Sequence, residues 1–130
     1  MSNRTLTLVI GILGISGVAL GAFGAHALKA LLAAGGHTET WRTAVLYQLI
    51  HTVAILAVSS SRVAQATASK SSLIPITCTA WTIGIVLFSG SLYVIALGGP
   101  NWLGPVTPLG GLAFLIGWGC VLVSGLKKEG

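Results

Sequence analysis

Acidic residues are nearly absent from this sequence. The 130-residue chain has no aspartate and only two glutamates, Glu39 and Glu129, against seven lysines and arginines. Without an aspartate, a Ser-His-Asp catalytic triad lacks the acid that orients its histidine. Charged residues of both signs make up 7% of the chain, whereas about a quarter is typical of soluble domains. The composition therefore argues against a soluble protein.

Cysteine and histidine are scarce as well. Cys78 and Cys120 are the only cysteines, too few for a disulfide framework. We expect both to be free thiols that act as small packing residues. The three histidines, His26, His37 and His51, stand at unrelated spacings without a paired motif. We therefore predict no zinc site.

Long apolar stretches dominate what remains. Hydrophobic residues make up 54% of the chain, and its mean hydropathy is +0.92. A membrane-spanning helix needs about 20 mostly apolar residues. We predict one integral membrane domain over residues 1–130, an all-α bundle of four transmembrane helices, with spans at approximately 5–28, 43–61, 73–97 and 107–126. The first stretch is longer than the apolar region of a usual signal peptide, so we expect a span there and no cleaved leader.

The positions of the basic residues indicate an orientation. The net charge of +5 does not point to nucleic acid, because the basic residues are scattered at helix ends and form no patch. With four spans, one side carries Lys29 and Arg42, and the other carries Arg4, Arg62, Lys70, Lys127 and Lys128. The positive-inside rule then predicts both termini in the cytoplasm, with the chain in a bacterial cytoplasmic (inner) membrane. Glu39 and Glu129 fall on opposite sides, so they cannot form a catalytic carboxylate pair.

Polar side chains recur on single faces of the second and third spans. Tyr47 and His51 share a stripe at helical spacing with Gln48 beside it, and Ser89 and Tyr93 share a face. Polar groups are costly against lipid, so these faces should point into the bundle. With His26 at the end of the first span, the predicted polar intramembrane seam comprises His26, Tyr47, Gln48, His51, Ser89 and Tyr93. Such residues either join helices by hydrogen bonds or line a functional path.

Glycines line one face of the first and fourth spans. The predicted packing positions are Gly14, Gly17, Gly21 and Gly24 on the first span and Gly110 and Gly117 on the fourth. Small residues on one face let helix backbones approach closely. These faces predict packing surfaces, either within the bundle or between copies of the chain. Trp41 and Trp102 lie near predicted span ends, where aromatic rings collect at the lipid–water interface.

Haem b is the one cofactor for which the histidines could supply two ligands. If the first helix leaves the membrane near Ala27, His51 lies about 12 Å deeper than His26 at about 1.5 Å per residue, so they cannot share one iron. If that helix continues to Leu32, the depths match, but His26 then points nearly opposite the glycine face. We therefore predict no cofactor.

Four segments carry a family resemblance when taken together. They are Gly21–His26 (GAFGAH), Trp41–His51 (WRTAVLYQLIH), Leu87–Tyr93 (LFSGSLY) and Thr107–Gly111 (TPLGG). In this order, and over nearly the whole chain, the sequence resembles the family called domain of unknown function 423, which has bacterial inner-membrane and animal members. The resemblance implies a short multi-pass membrane protein and brings no activity, substrate or catalytic residue.

Two functional expectations follow. The first is a protein that is not an enzyme and acts by assembly, as a homo-oligomer or an accessory subunit of a membrane complex. Its partners would be the lipid bilayer and either other membrane-protein subunits or itself. The alternative is a small oligomeric transporter or channel that uses His51 and Gln48 as a polar path. A few serine, tyrosine and histidine residues do not define a reaction class, so no catalytic residue is predicted.

Overall fold

The computed structural model describes residues 1–60 and 73–126, which form helices joined by turns, with no strand among them. The elements are α1 (Asn3–Ala25), α2 (Lys29–Gly35), α3 (Thr38–Ser60), α4 (Ile74–Gly84), a π-helical segment (Ile85–Ser89), α5 (Gly90–Ala96), a 3-10 turn (Asn101–Leu103) and α6 (Val106–Leu126). The helix α4, the π-helical segment and α5 run on continuously and together form the third span.

The described residues include four helices long and apolar enough to cross a membrane: Asn3–Ala25, Thr38–Ser60, Ile74–Ala96 and Asn101–Leu126. This confirms the predicted all-α fold with four transmembrane helices. The second spanning helix, α3, begins at Thr38, before the start of the span predicted at 43–61. Near its start, the exposed side chains of Arg42 and Glu39 are bound to each other at 2.9 Å, and a helix can continue beyond the hydrocarbon while such polar groups stay in water.

The helix α1 stops at Ala25 and does not continue towards Leu32. The backbone at His26 is not helical, with φ −126° and ψ −82°. The chain then turns into the short helix α2, which Gly36 ends in the left-handed conformation at φ 72°. Glycine adopts this conformation without the steric cost that a Cβ would bring. The break lets α2 fold back over the bundle, where Leu32 is buried with Trp41 and Ala96.

The helix α3 lies at the centre of the bundle. It packs against α1 and against the third span, and the third span packs against α6. The larger core cluster comprises Ile55, Cys78, Trp81, Ile85 and Phe114. Cys78 is buried there and Cys120 is half-buried, and both are free thiols. The Trp41 ring is buried inside the bundle, so it faces neighbouring helices and not lipid or water, whatever its depth.

Most of the predicted packing glycines face a neighbouring helix of the same chain. A Cβ at Gly17 would lie 2.6 Å from Cδ2 of Leu49, and one at Gly21 would lie 3.3 Å from Cγ1 of Val45. Gly24 lies under the indole of Trp41. Gly14 differs, because nothing lies within 4 Å of the position that its Cβ would take. The packing face of α1 is therefore used inside the chain at three of its four predicted positions.

The closest helix approach is between α6 and the third span. A Cβ at Gly110 would overlap the backbone nitrogen of Phe88 and lie 2.8 Å from its Cα. One at Gly117 would overlap the indole of Trp81, which donates a hydrogen bond to the carbonyl of Phe114 at 3.3 Å. Phe88 belongs to the π-helical segment, so this segment meets α6 through backbone atoms that cannot move aside.

We predict that Gly110→Ala destabilises the bundle by about 1–3 kcal/mol, the usual cost of overpacking a tight core. Gly119→Ala, on the same helix, is the matched control, because its methyl group enters open space and alanine is the better helix former. The free energy of unfolding, measured by SDS titration in mixed micelles, should fall for the first variant and not for the second. Equal stability of the two variants would contradict the close approach at Phe88.

Candidate functional site

The polar side chains of the spans are paired inside the bundle. Among the residues that the structure describes, six polar ones are buried: Gln48, His51, Thr52, Thr77, Ser89 and Ser91. Hydrocarbon offers no hydrogen bonds, so each of these groups needs a partner within the chain. No buried side-chain nitrogen or oxygen in the described part of the chain is without one.

Gln48 joins three elements through its side-chain amide. The Nε2 group donates to the carbonyl of Leu13 and to Oγ of Ser16, each at 2.9 Å. The Oε1 atom accepts a hydrogen bond from the hydroxyl of Tyr93 at 2.7 Å. Gln48 is 3% exposed, so these bonds replace water that it cannot reach. One amide thereby holds α1 and α5 against α3.

The aromatic pair Trp41 and Tyr93 extends this network towards the N-terminal end of α3. The Trp41 indole donates to the carbonyl of Leu20 at 2.8 Å, and its ring lies on Gly24. The Tyr93 ring packs edge-on against Trp41, with centroids 4.8 Å apart. The three helices α1, α3 and α5 are therefore joined by consecutive polar and aromatic contacts.

His51 lies on the side of α3 that faces α6. Its Nδ1 atom is 2.8 Å from the carbonyl of Tyr47, and its Nε2 atom is 3.2 Å from the indole nitrogen of Trp118. An indole N–H can only donate and a carbonyl can only accept. Nδ1 therefore carries the proton and Nε2 accepts, which makes this imidazole neutral. Its ring stacks on Phe114 with centroids 3.7 Å apart, so both nitrogens and one face are occupied.

Serine hydroxyls make two further links between spans. Ser89, in the π-helical segment, donates to the carbonyl of Ala44 at 2.8 Å. Ser91 and Thr107 lie 2.6 Å apart and join α5 to α6. Sequence reasoning missed Ser16, Ser91, Thr107 and Trp118 as partners. A usable signal existed for Trp118, because an indole in the middle of a span must find an acceptor for its N–H.

The predicted seam therefore divides in the structure. Gln48 and Tyr93 bond to each other, Ser89 bonds to the backbone of α3 at Ala44, and His51 faces α6. Tyr47 is 38% exposed and contacts Phe88 and Phe114 through its ring. His26 is exposed at the turn after α1 and takes no part. Its inclusion assumed that α1 reaches residue 28, whereas the helix ends at Ala25.

The geometry offers no pair of axial haem ligands. The contact between Trp41 and Leu20 fixes the relative depth of α3 and α1. His51 lies ten residues beyond Trp41 along α3, about 15 Å further into the bundle at about 1.5 Å per residue. His26 lies beyond Leu20 along α1, in the opposite direction from this contact, so the two histidines lie at different depths. Within residues 1–60 and 73–126, no group of three histidine, cysteine or acidic side chains could hold a metal ion.

Comparisons with known proteins agree with the membrane architecture. A family model described as "Protein of unknown function (DUF423)" matches residues 20–111. A "UPF0382 membrane protein" of Haemophilus influenzae is 44% identical and covers 99% of this chain and 98% of its own length. The "UPF0382 inner membrane protein YgdD" of Escherichia coli is 40% identical, over 100% of this chain and 97% of its own. The "UPF0382 membrane protein YwdK" of Bacillus subtilis is 36% identical, over 79% and 80%. No solved structure matches.

We predict that Tyr93→Phe lowers the free energy of unfolding by about 0.6–1.7 kcal/mol, the range for hydrogen bonds between membrane helices. Gln48→Leu should cost more, because Ser16 and Tyr93 both lose their partner. In the Gln48→Leu background, Tyr93→Phe should then cost nothing further. This double-mutant cycle is measured by SDS titration.

The control for this cycle is Tyr47→Phe, which removes a hydroxyl from a partly exposed tyrosine on the same helix as Gln48. It should be near neutral and additive with Gln48→Leu. Additive losses for Tyr93→Phe and Gln48→Leu would show that the two side chains do not act as a bonded pair.

Proposed function

This chain belongs to the DUF423 family of membrane proteins, and from that premise we propose that it acts by assembly, as a homo-oligomer or an accessory subunit of a membrane complex. It is a multi-pass membrane protein, as its four apolar helices and the names of its relatives indicate.

The observation that carries the proposal is the closure of the polar interior. The amide of Gln48, the imidazole of His51 and the hydroxyl of Ser89 all bond to other parts of the same chain. A substrate or ion passing between the helices would have to break these bonds without a replacement from water. Activity is therefore assigned to the outer surface, which favours a binding role over transport or catalysis.

The outer face of α1 is the best candidate for a contact between chains. Only Gly17 of this helix is buried, and α1 packs mainly on α3. Gly11 and Gly14 have open space where a Cβ would project, and Ile15 and Val18 beside them are exposed. Small residues flanked by apolar ones let a second helix approach closely in lipid. The three glycines already used inside the chain do not contribute to this argument.

We also propose that the chain lies in the cytoplasmic membrane with both termini inside. Arg4 lies at the start of α1, and Lys29 and Arg42 lie at the opposite end of the bundle. The other basic residues that suggest this orientation, Arg62, Lys70, Lys127 and Lys128, lie outside the described residues. An even number of spans returns the chain to the side on which it began, which supports a common side for both termini.

Thiol crosslinking in native membranes tests the assembly proposal. In a Cys78→Ala, Cys120→Ala background, we expect Gly14→Cys and Val18→Cys to give crosslinked pairs of the 13.2 kDa chain with a short reagent. Leu115→Cys, exposed on α6, is the control and should stay monomeric. A reproducible adduct to one other identified membrane protein at the α1 positions would support the accessory-subunit form. Monomers at every position, at native expression level, would contradict both forms.

The transporter or channel remains a second candidate because of one feature, the π-helical segment Ile85–Ser89. Such segments occur frequently at functional sites, and this one supplies Ser89 to the contact with α3. A shift of this segment to regular helix would change which side chains face Gln48 and His51. The closed interior would then be one of two states of the bundle.

Flux in reconstituted vesicles tests this second candidate. If it holds, purified protein should carry protons or potassium, and His51→Ala should reduce the flux to the level of empty vesicles. His37→Ala, which removes a histidine between α2 and α3, is the matched control and should leave the flux unchanged. Flux that is absent, or unaffected by His51→Ala, would exclude the path.

A further inference from the structure

A groove of about 580 Å³ opens on the bundle surface between the end of α1, the helix α2 and the first half of α3. Its polar end is lined by Lys29, Thr38 and Arg42. Its apolar end is lined by Gly21, Val45 and Leu49. The groove is separate from the Gln48 and His51 contacts, which are inside the bundle.

The turn after α1 creates this shape. Because α1 stops at Ala25, α2 folds back and brings Lys29 to the same rim as Arg42. Gly21 and Gly24 line the groove without side chains that would fill it, and Trp41 is fixed against Gly24 by its bond to Leu20. The groove is therefore part of the packed fold.

The depth of the groove matches one leaflet of a bilayer. Thr38 and Leu49 are eleven residues apart on α3, about 16 Å at about 1.5 Å per residue. Half of a hydrocarbon core of about 30 Å is nearly the same length. With its polar end at headgroup level, the groove is long enough for its apolar end to reach towards the middle of the membrane.

The charge of the rim favours an anion. Lys29 and Arg42 are both exposed, and Glu39 is the single acidic residue among those that the structure describes. Arg42 binds Glu39 at 2.9 Å, but the two side chains are 72% and 81% exposed. Exposed ion pairs of this kind are weak, so Arg42 can turn to a stronger anionic partner. The three side chains together keep one net positive charge.

We propose that this groove binds one anionic phospholipid. Its headgroup phosphate lies between Lys29 and Arg42, and one acyl chain lies along Gly21, Val45 and Leu49. The combination of a cationic rim and an apolar channel of leaflet depth selects a lipid over a free anion, which would use only the rim. The site is independent of the α1 contact between chains and stands if the chain is monomeric.

Native mass spectrometry of the full chain in detergent tests the site. Added phosphatidylglycerol should give one retained lipid per chain, and phosphatidylcholine with the same acyl chains should bind more weakly. Lys29→Gln with Arg42→Gln should weaken phosphatidylglycerol binding about thirty-fold, as expected for two cations near an anionic headgroup. Arg4→Gln, at the other end of the bundle, is the control and should leave binding unchanged.

A second pair of variants tests the channel separately from the charges. Leu46→Trp fills the groove from its exposed side and should lower lipid retention with both cations intact. Val53→Trp makes the same change on an exposed residue of α3 beyond the groove and should not. The proposal fails if both lipids are retained equally, if the charge variants bind as wild type does, or if inorganic phosphate alone competes fully. It also fails if a second copy of the chain, and not a lipid, occupies the groove.

Discussion

The side-chain amide of Gln48 lies where three helices meet in a region that water cannot reach. Its bonds to Leu13, Ser16 and Tyr93 use both ends of the amide, and each bond crosses from α3 to another element. In lipid, apolar surface gives helices no hydrophobic reason to associate, so such bonds and close packing must set their relative positions. By fixing how far α1 and α5 are shifted along α3, the Gln48 bonds also set where Trp41 contacts Tyr93 and Gly24.

Close packing and polar pairing depend on each other in this bundle. Glycine at 17 lets Leu49 approach α1 and leaves Gln48 within reach of Leu13. Glycine at 117 accepts the Trp81 ring, whose indole bonds to α6. Once these groups are joined, the interior has no free donor or acceptor among the described side chains. The outer face of α1 and the groove beside α2 are the surfaces that we propose for interaction.

The sequence predicts spans and faces well, because both are properties of a single helix. Apolar length identifies the four spans, and helical spacing places Gln48, Ser89 and Tyr93 towards the interior. The sequence does not predict which side chains contact each other, since this depends on which helix lies opposite. Trp118 bonds to His51 from 67 positions away. Gly24 meets Trp41, whereas Gly14, in the same arc of α1, meets nothing. The break at His26 and the π-helical segment were also missed, because both depart from the regular periodicity on which the prediction rests.

The two cations at the groove connect orientation with lipid binding. In the proposed orientation, Lys29 and Arg42 lie on the translocated side, where basic residues oppose the positive-inside preference. If the two side chains lay far apart, no single anion could contact both. Instead the break at His26 brings Lys29 to the rim that Arg42 already occupies, above an apolar channel. An anionic headgroup held there would neutralise the one net positive charge that Lys29, Arg42 and Glu39 keep together. It would also brace the region where α1 has ended and Leu32 of α2 packs over Trp41.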